Sequence, residues 1–144
     1  MLIYAVSLAI VVLDRFTKFL ALKFLSSHSS VPVVTNIFHL TLVKNSGIAF
    51  GFFQDRTPVL IIIVILCLVG LIFLSFRMRT AGWVERMSLA FILGGATSNL
   101  MDRFLFGYVI DFLDFRIWPV FNLADSFITV GVFLFLLSTL RKRL

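Results

Sequence analysis

The sequence predicts a membrane protein that is all-α apart from a small β element, with four transmembrane helices and the β element on the extracytoplasmic side. Three observations carry this prediction. Hydrophobic residues make up 60% of the chain and charged residues 14%, against about 45–50% and about 25% in soluble domains. Four long apolar runs are separated by charges and helix breakers. Between the first two runs lies an insert whose polarity alternates instead. The 144 residues leave room for a single integral membrane domain over 1–144 and no separate soluble one.

The first run covers about 2–25 and is interrupted by Asp14, Arg15 and Lys18. It is not a cleavable leader, because no basic segment precedes it and charges stand where a cleavage motif would be. A polar break, Ser26–Ser30, contains His28. The outer β insert, about 31–53, opens with Val31-Pro32-Val33-Val34 and a Thr35-Asn36 turn. Residues 37–44 then alternate, with Phe38, Leu40 and Leu42 on one face and His39 and Thr41 on the other, the period of a strand. Asn45-Ser46-Gly47 reads as a turn and 48–53 as a returning strand.

The second run, about 58–76, is free of charge, with Thr57 placed to cap it and Pro58 suited to its first turn. The third, about 83–104, carries Glu85 and Arg86 near its start and Asp102 and Arg103 near its end. The fourth, about 119–140, carries Asp125 in its opening turns. At about 1.5 Å per residue, each run is roughly 28–36 Å long, enough for a hydrocarbon core of about 30 Å.

An even number of spans puts both termini on one side. The basic clusters Arg77, Arg79, Arg86 and Arg141, Lys142, Arg143 assign that side to the cytoplasm. Lys23, Lys44, Arg56, Arg103 and Arg116 weigh the other way. This orientation puts 26–57 and 105–118 outside, with Trp83 and Trp118 as anchors at opposite interfaces. The net charge of +6 forms no single basic stripe, so nucleic acid is not an expected partner. Cys67, the only cysteine, excludes an internal disulfide and reads as a packed or lipid-facing residue.

The chain has seven acids, and two of them, Asp111 and Asp125, stand beside apolar segments at the outer face. Ionisable groups at membrane depth are costly and mark function by default. Two carboxylates that meet can share a proton and activate water. The competing reading makes each a solvated acid, Asp125 capping the fourth helix. Asn122, three residues before Asp125, can face the same site. Asp114, beside Arg116, reads as an exposed ion pair. Asp14 and Lys18, four apart, read as a pair buried between helices, and Asn99 with Asp102 as architectural groups. Gly94, Gly95, Ala96 and Ser98 offer a small-residue surface for close helix approach.

Other chemistries lack their residues. There is no HExxH, and His28 and His39 are isolated, so no metal site is expected. No GxSxG elbow or glycine-rich phosphate loop occurs. An alternative of another class is a small ion- or proton-coupled transporter or structural subunit whose acids bind ions or pair helices.

Five segments, in order, resemble the lipoprotein signal peptidases (signal peptidase II), bacterial membrane aspartic proteases that cut signal peptides from lipid-modified prolipoproteins. They are Asp14-Arg15-Phe16-Thr17-Lys18, Lys44-Asn45-Ser46-Gly47-Ile48-Ala49-Phe50-Gly51, Asn99-Leu100-Met101-Asp102-Arg103, Val109-Ile110-Asp111-Phe112 and Phe121-Asn122-Leu123-Ala124-Asp125. One departure is Ser98, where the family usually has glycine. The resemblance implies a catalytic dyad of Asp111 and Asp125, with Asp14, Lys18, Asn45, Gly47, Phe50, Asn99, Asp102, Arg103 and Asn122 shaping or supporting the site. It also implies four transmembrane helices, an outer β-cradle and a short surface helix. The expected partners are diacylglyceryl-modified prolipoprotein signal peptides and membrane lipids, the expected cofactor is none, and a monomer is the simplest state. The 45–53 segment is placed to close over substrate through Phe50 and Phe52, with bends at Gly47 and Gly51.

Overall fold

The computed structural model describes residues 1–25, 30–47 and 56–142. They form four long helices and one small sheet: α1 (Leu2–Phe24), β1 (Ser30–Val34), β2 (Phe38–Asn45), α2 (Thr57–Arg77), α3 (Trp83–Phe106), β3 (Val109–Asp114) and α4 (Leu123–Arg141). The expected returning strand over 48–53, together with His28, Phe50, Gly51 and Phe52, lies outside the described residues. The expected surface helix is not among the described elements; a single 3-10 turn, Met78–Thr80, joins α2 to α3 at the end far from the sheet.

Two of the helices, α2 and α4, are long and apolar enough to cross a membrane. Most of their large side chains face outward, including Ile62, Leu66, Val69, Phe73, Phe133 and Leu136. Cys67 is likewise exposed on α2. By contrast, α1 and α3 bury charged and polar groups: Asp14 and Lys18 on one, Ser98, Asn99, Asp102 and Arg103 on the other. Unpaired charges in an apolar interior cost several kcal/mol each, so such groups must find partners.

Helix α3 is the centre of the bundle, and its small residues make that possible. A β-carbon on Gly94 would lie 2.8 Å from the Ser7 carbonyl oxygen of α1, and one on Gly95 would lie 2.5 Å from the Ala124 carbonyl oxygen of α4. The small-residue surface expected from the sequence therefore seats both neighbours. One core cluster joins Ile3, Leu68, Leu89, Ala90 and Leu93 between α1, α2 and α3. At the far end, Ser138 donates to Glu85 at 2.6 Å and Lys142 pairs with the same carboxylate.

The sheet is antiparallel in the order β1-β2-β3. The alternation expected for residues 37–44 holds in β2: Leu40 and Leu42 pack with Ala21, Ile110 and Phe112, whereas His39 and Thr41 bond Ser30 on the opposite face. The Thr35-Asn36 turn is also present, with Asn36 at φ 62°. Residues 109–114, expected as outer loop, instead form β3 because β2 supplies the pairing, with Val43 opposite Asp111 and Asn45 opposite Val109. Gly107, at φ 80°, ends α3 in a left-handed turn and redirects the chain into β3.

Two helix starts differ from expectation. Helix α4 begins at Leu123 rather than near Pro119, because Phe121 is paired by backbone bonds with Leu113 and Asn122 is the cap. Helix α2 starts after Arg56, and Thr57 is not its cap. The Thr57 hydroxyl donates instead to the Gly107 carbonyl at 2.9 Å, tying α2 to the α3–β3 corner.

Candidate active site

Asp111 and Asp125 reach one place by different routes. Asp111 is fixed by the register of β3, and Asp125 by the first turn of α4, where Asn122 and Asp125 form a reciprocal capping box. The Asp125 amide donates to Asn122 Oδ1 at 2.9 Å, and the Asn122 amide donates back to Asp125 Oδ2 at 3.3 Å. Asn122 also donates through Nδ2 to Asp111 Oδ1 at 2.7 Å. One buried asparagine therefore holds both carboxyls. Both line a cavity of about 360 Å³ with Asn45, Asn99 and Arg103, walled by Leu60, Val64, Trp118 and Ile128.

Each carboxyl has a further amide donor. Asn45 Nδ2 donates to Asp111 Oδ2 at 2.9 Å, and Asn99 Nδ2 donates to Asp125 Oδ1 at 2.7 Å. Burial, and next the Asp125 charge, pushes the Asp111 carboxyl up to about 7, against the opposing effect of bonds from Asn45 and Asn122.

Behind the pair lies a buried polar network. Lys18 Nζ donates to Asp14 Oδ2 at 2.8 Å, Asp102 Oδ2 at 2.7 Å and Asn99 Oδ1 at 2.8 Å, matching its three protons to three acceptors. The expected Asp14–Lys18 pair is present, but as part of this larger set. Asp14 Oδ1 accepts the Ala124 amide at 2.8 Å, directly beside Asp125. Asp102 accepts the Ile110 amide at 3.2 Å, directly beside Asp111. Thus Asp14 and Asp102 each fix the backbone next to one member of the pair, and Lys18 joins them. Arg103 Nη2 donates to the Gly47 carbonyl at 2.9 Å, and the Gly47 amide donates to Asn45 Oδ1 at 3.0 Å. Phe50 lies outside the described residues.

Three contributors were not foreseen. Ser98 donates to Asp14 Oδ2 at 2.6 Å, so the serine adds a bond besides remaining small. Arg15 pairs with Asp102. Thr57 braces the corner between α3 and β3. Helical spacing could have hinted at Arg15, three positions before Lys18 and pairing with the same Asp102, whereas Thr57 and Ser98 act through contacts between distant segments. The expected Asp114–Arg116 ion pair is present, but Asp114 itself is corrected: it is buried at 5% exposure, bonded by Thr41 and Arg116.

Residues 6–141 match the family model described as signal peptidase (SPase) II. The chain is 42% identical over 136 residues to the lipoprotein signal peptidase of Halothermothrix orenii, covering 94% of this chain and 93% of that one. It is 47% identical over 123 residues to the lipoprotein signal peptidase of Caldanaerobacter subterraneus, covering 85% and 84%. A solved bacterial membrane enzyme superposes with a TM-score of 0.88 at 28% identity, covering 96% of this chain and 87% of that chain.

Proposed function

The chain belongs to the signal peptidase II family, and on that premise we propose that it is an aspartic endopeptidase that removes signal peptides from diacylglyceryl-modified prolipoproteins. The observation that carries this reading is Asn122, whose amide group holds Asp111 while its backbone holds Asp125 at the edge of a shared cavity. In this reading 1–144 is one membrane domain with four spans. The exposed apolar faces of α2 and α4 meet lipid, and both termini lie in the cytoplasm. The site then opens at the extracytoplasmic interface of a bacterial inner membrane, and the protein works as a monomer. No metal or organic cofactor is required.

The chemistry needs one proton on the pair. Two adjacent carboxylates do not both ionise cheaply, so the pair keeps one proton, placed in this reading on Asp111, whose carboxyl burial and the Asp125 charge push up. Asp125 accepts a proton from water as the water oxygen attacks the scissile carbonyl carbon. Asp111 donates its proton to the carbonyl oxygen, giving a neutral gem-diol. Collapse breaks the C–N bond: Asp125 passes its proton to the leaving nitrogen, Asp111 takes back a proton from a gem-diol hydroxyl, and the new carboxyl stays on the signal peptide. Asn45, Asn99 and Asn122 keep both carboxyls aimed, so little reorganisation is left for the reaction.

Location serves the substrate. A signal peptide is apolar and the lipidated cysteine carries acyl chains, so both arrive through the bilayer. Unwinding a peptide in lipid exposes backbone groups at several kcal/mol each, and a polar cavity at the interface avoids that cost. The direct test is incubation of detergent-purified protein with a diacylglyceryl-modified prolipoprotein. A size shift is expected, and it is lost in Asp111→Asn. A folded parent protein that leaves this substrate intact would overturn the proposal.

A further inference from the structure

Between the two carboxylates the chain makes a pinned loop, and the groups that pin it take no part in the proposed acid–base chemistry. The Phe112 and Leu113 amides donate to the Phe121 carbonyl at 3.0 and 2.8 Å, and the Phe121 amide returns to the Leu113 carbonyl at 3.1 Å. Inside that frame Arg116 stands at φ 67°, a conformation that residues with a β-carbon avoid. Something must hold it there. Asp114 Oδ1 accepts the Arg116 amide at 2.8 Å, and Asp114 Oδ2 accepts Arg116 Nη1 at 3.1 Å. This is an Asx-type turn with a second bond from the side chain. Thr41 of β2 donates to the same Oδ2 at 2.8 Å, anchoring the turn to the sheet. Burial alone would raise the Asp114 carboxyl, but the bonds from Thr41 and Arg116 hold it below its ordinary value.

The pinned loop forms a wall of the site. Trp118 and Phe121 line the cavity that holds both aspartates, and they also line a second cavity of about 490 Å³ that likewise includes Asp125 in its lining. Phe115 stacks on Phe121 with ring centres 5.9 Å apart and lies 4.8 Å from the Phe38 ring of β2. The wall is thus braced both by these rings and by the Arg116 turn.

We propose that Asp114 is a positioning residue for substrate: by holding Arg116 in its left-handed turn it sets the Trp118–Phe121 wall that both cavities share at Asp125, and so fits the apolar groups flanking the scissile bond. This rests on the peptidase reading above. It predicts weaker substrate binding with intact chemistry when the clamp is removed, because the dyad's own donors are Asn45, Asn99 and Asn122.

The test uses full-length protein in detergent carrying Trp83→Phe, which leaves Trp118 as the only tryptophan of the original two. In Asp114→Ala, Trp118 emission should shift and become more accessible to a soluble quencher. KM for lipid-modified prolipoprotein should rise about fivefold, with kcat within about twofold. Thr41→Val should move both readouts the same way but less, and it serves if Asp114→Ala does not fold. Adding Arg116→Gly to Asp114→Ala should restore both in part, because glycine takes the left-handed turn unaided. Unchanged Trp118 emission and KM in both Asp114→Ala and Thr41→Val would overturn the proposal. So would a fall in kcat at constant KM. A parent protein that cuts nothing would refute the peptidase reading, while the Trp118 emission still reports separately on the clamp.

Discussion

Asp111 is held where its charge is costly, and that cost gives a measurable signature. Its carboxyl lies at about 7 instead of the ordinary 3.8. A group raised on folding adds stability that is complete below its unfolded value and is lost as the pH rises through the folded value. The parent protein should therefore lose stability between about pH 4 and pH 8 from this group, and Asp111→Asn should not. Thermal melts should place Asp111→Asn above the parent at pH 8, with the gap closing toward pH 4; a gap constant over that range would contradict the assignment. If Asp111 is the proton donor proposed above, cleavage by the parent should also decline on the alkaline side of about 7, where that carboxyl ionises. At this scale the sequence was informative about charged residues in unusual contexts. It was misleading for Asp114, whose burial depends on Thr41, 73 positions away. Ser98 is legible by its size but not by the bond that its hydroxyl makes to Asp14, 84 positions away.

Among the elements, the helices were easier to read than the sheet. Apolar runs of about 20 residues announce themselves locally, and α1, α2 and α3 begin and end close to the charges and breakers that mark them. The strand β3 does not announce itself, since five of its six residues are buried and the two faces show no alternation. Its identity comes from pairing with β2, a non-local fact. The delayed start of α4 has the same origin in the Leu113–Phe121 pairing. The α3–α4 contact carries the prediction at this scale. In Gly95→Ala the added carbon would meet the Ala124 carbonyl oxygen at 2.5 Å and Ile128 Cγ1 at 2.7 Å. Helix α4 must shift, moving Asp125 with it, so stability should fall by about 1–3 kcal/mol and cleavage more steeply. Gly70→Ala, where nothing lies within 4 Å, is the control and should melt at or above the parent with cleavage unchanged. Equal behaviour of the two variants in a melt and a cleavage assay would show that the close approach does not position the site.

Across the whole molecule, a polar network ties the α1–α3–α4 bundle to the sheet beside it. Lys18, Asp14 and Asp102 connect α1 to the backbone beside Asp125 and beside Asp111, so two carboxyls on different elements are set by one buried assembly. Buried ion pairs of this kind are weak evidence for stability, because desolvation offsets much of their attraction. Their value here is orientation, since every acceptor that Lys18 uses also contacts the pair or its neighbouring backbone. That two acids beside apolar segments could converge was readable from residue type and order. How they converge was not, because Asn122, Asn99 and Lys18 come together only through the packing of α1, α3 and α4. If Asp111 and Asp125 act as one unit, their removal is not additive. The measurement that tests this most directly is the rate of prolipoprotein cleavage by Asp111→Asn, Asp125→Asn and the double variant, each verified as folded by its melt. The expected result is a loss of about 10³-fold or more in each single variant, with no further loss in the double. Substantial cleavage by either single variant would contradict the dyad.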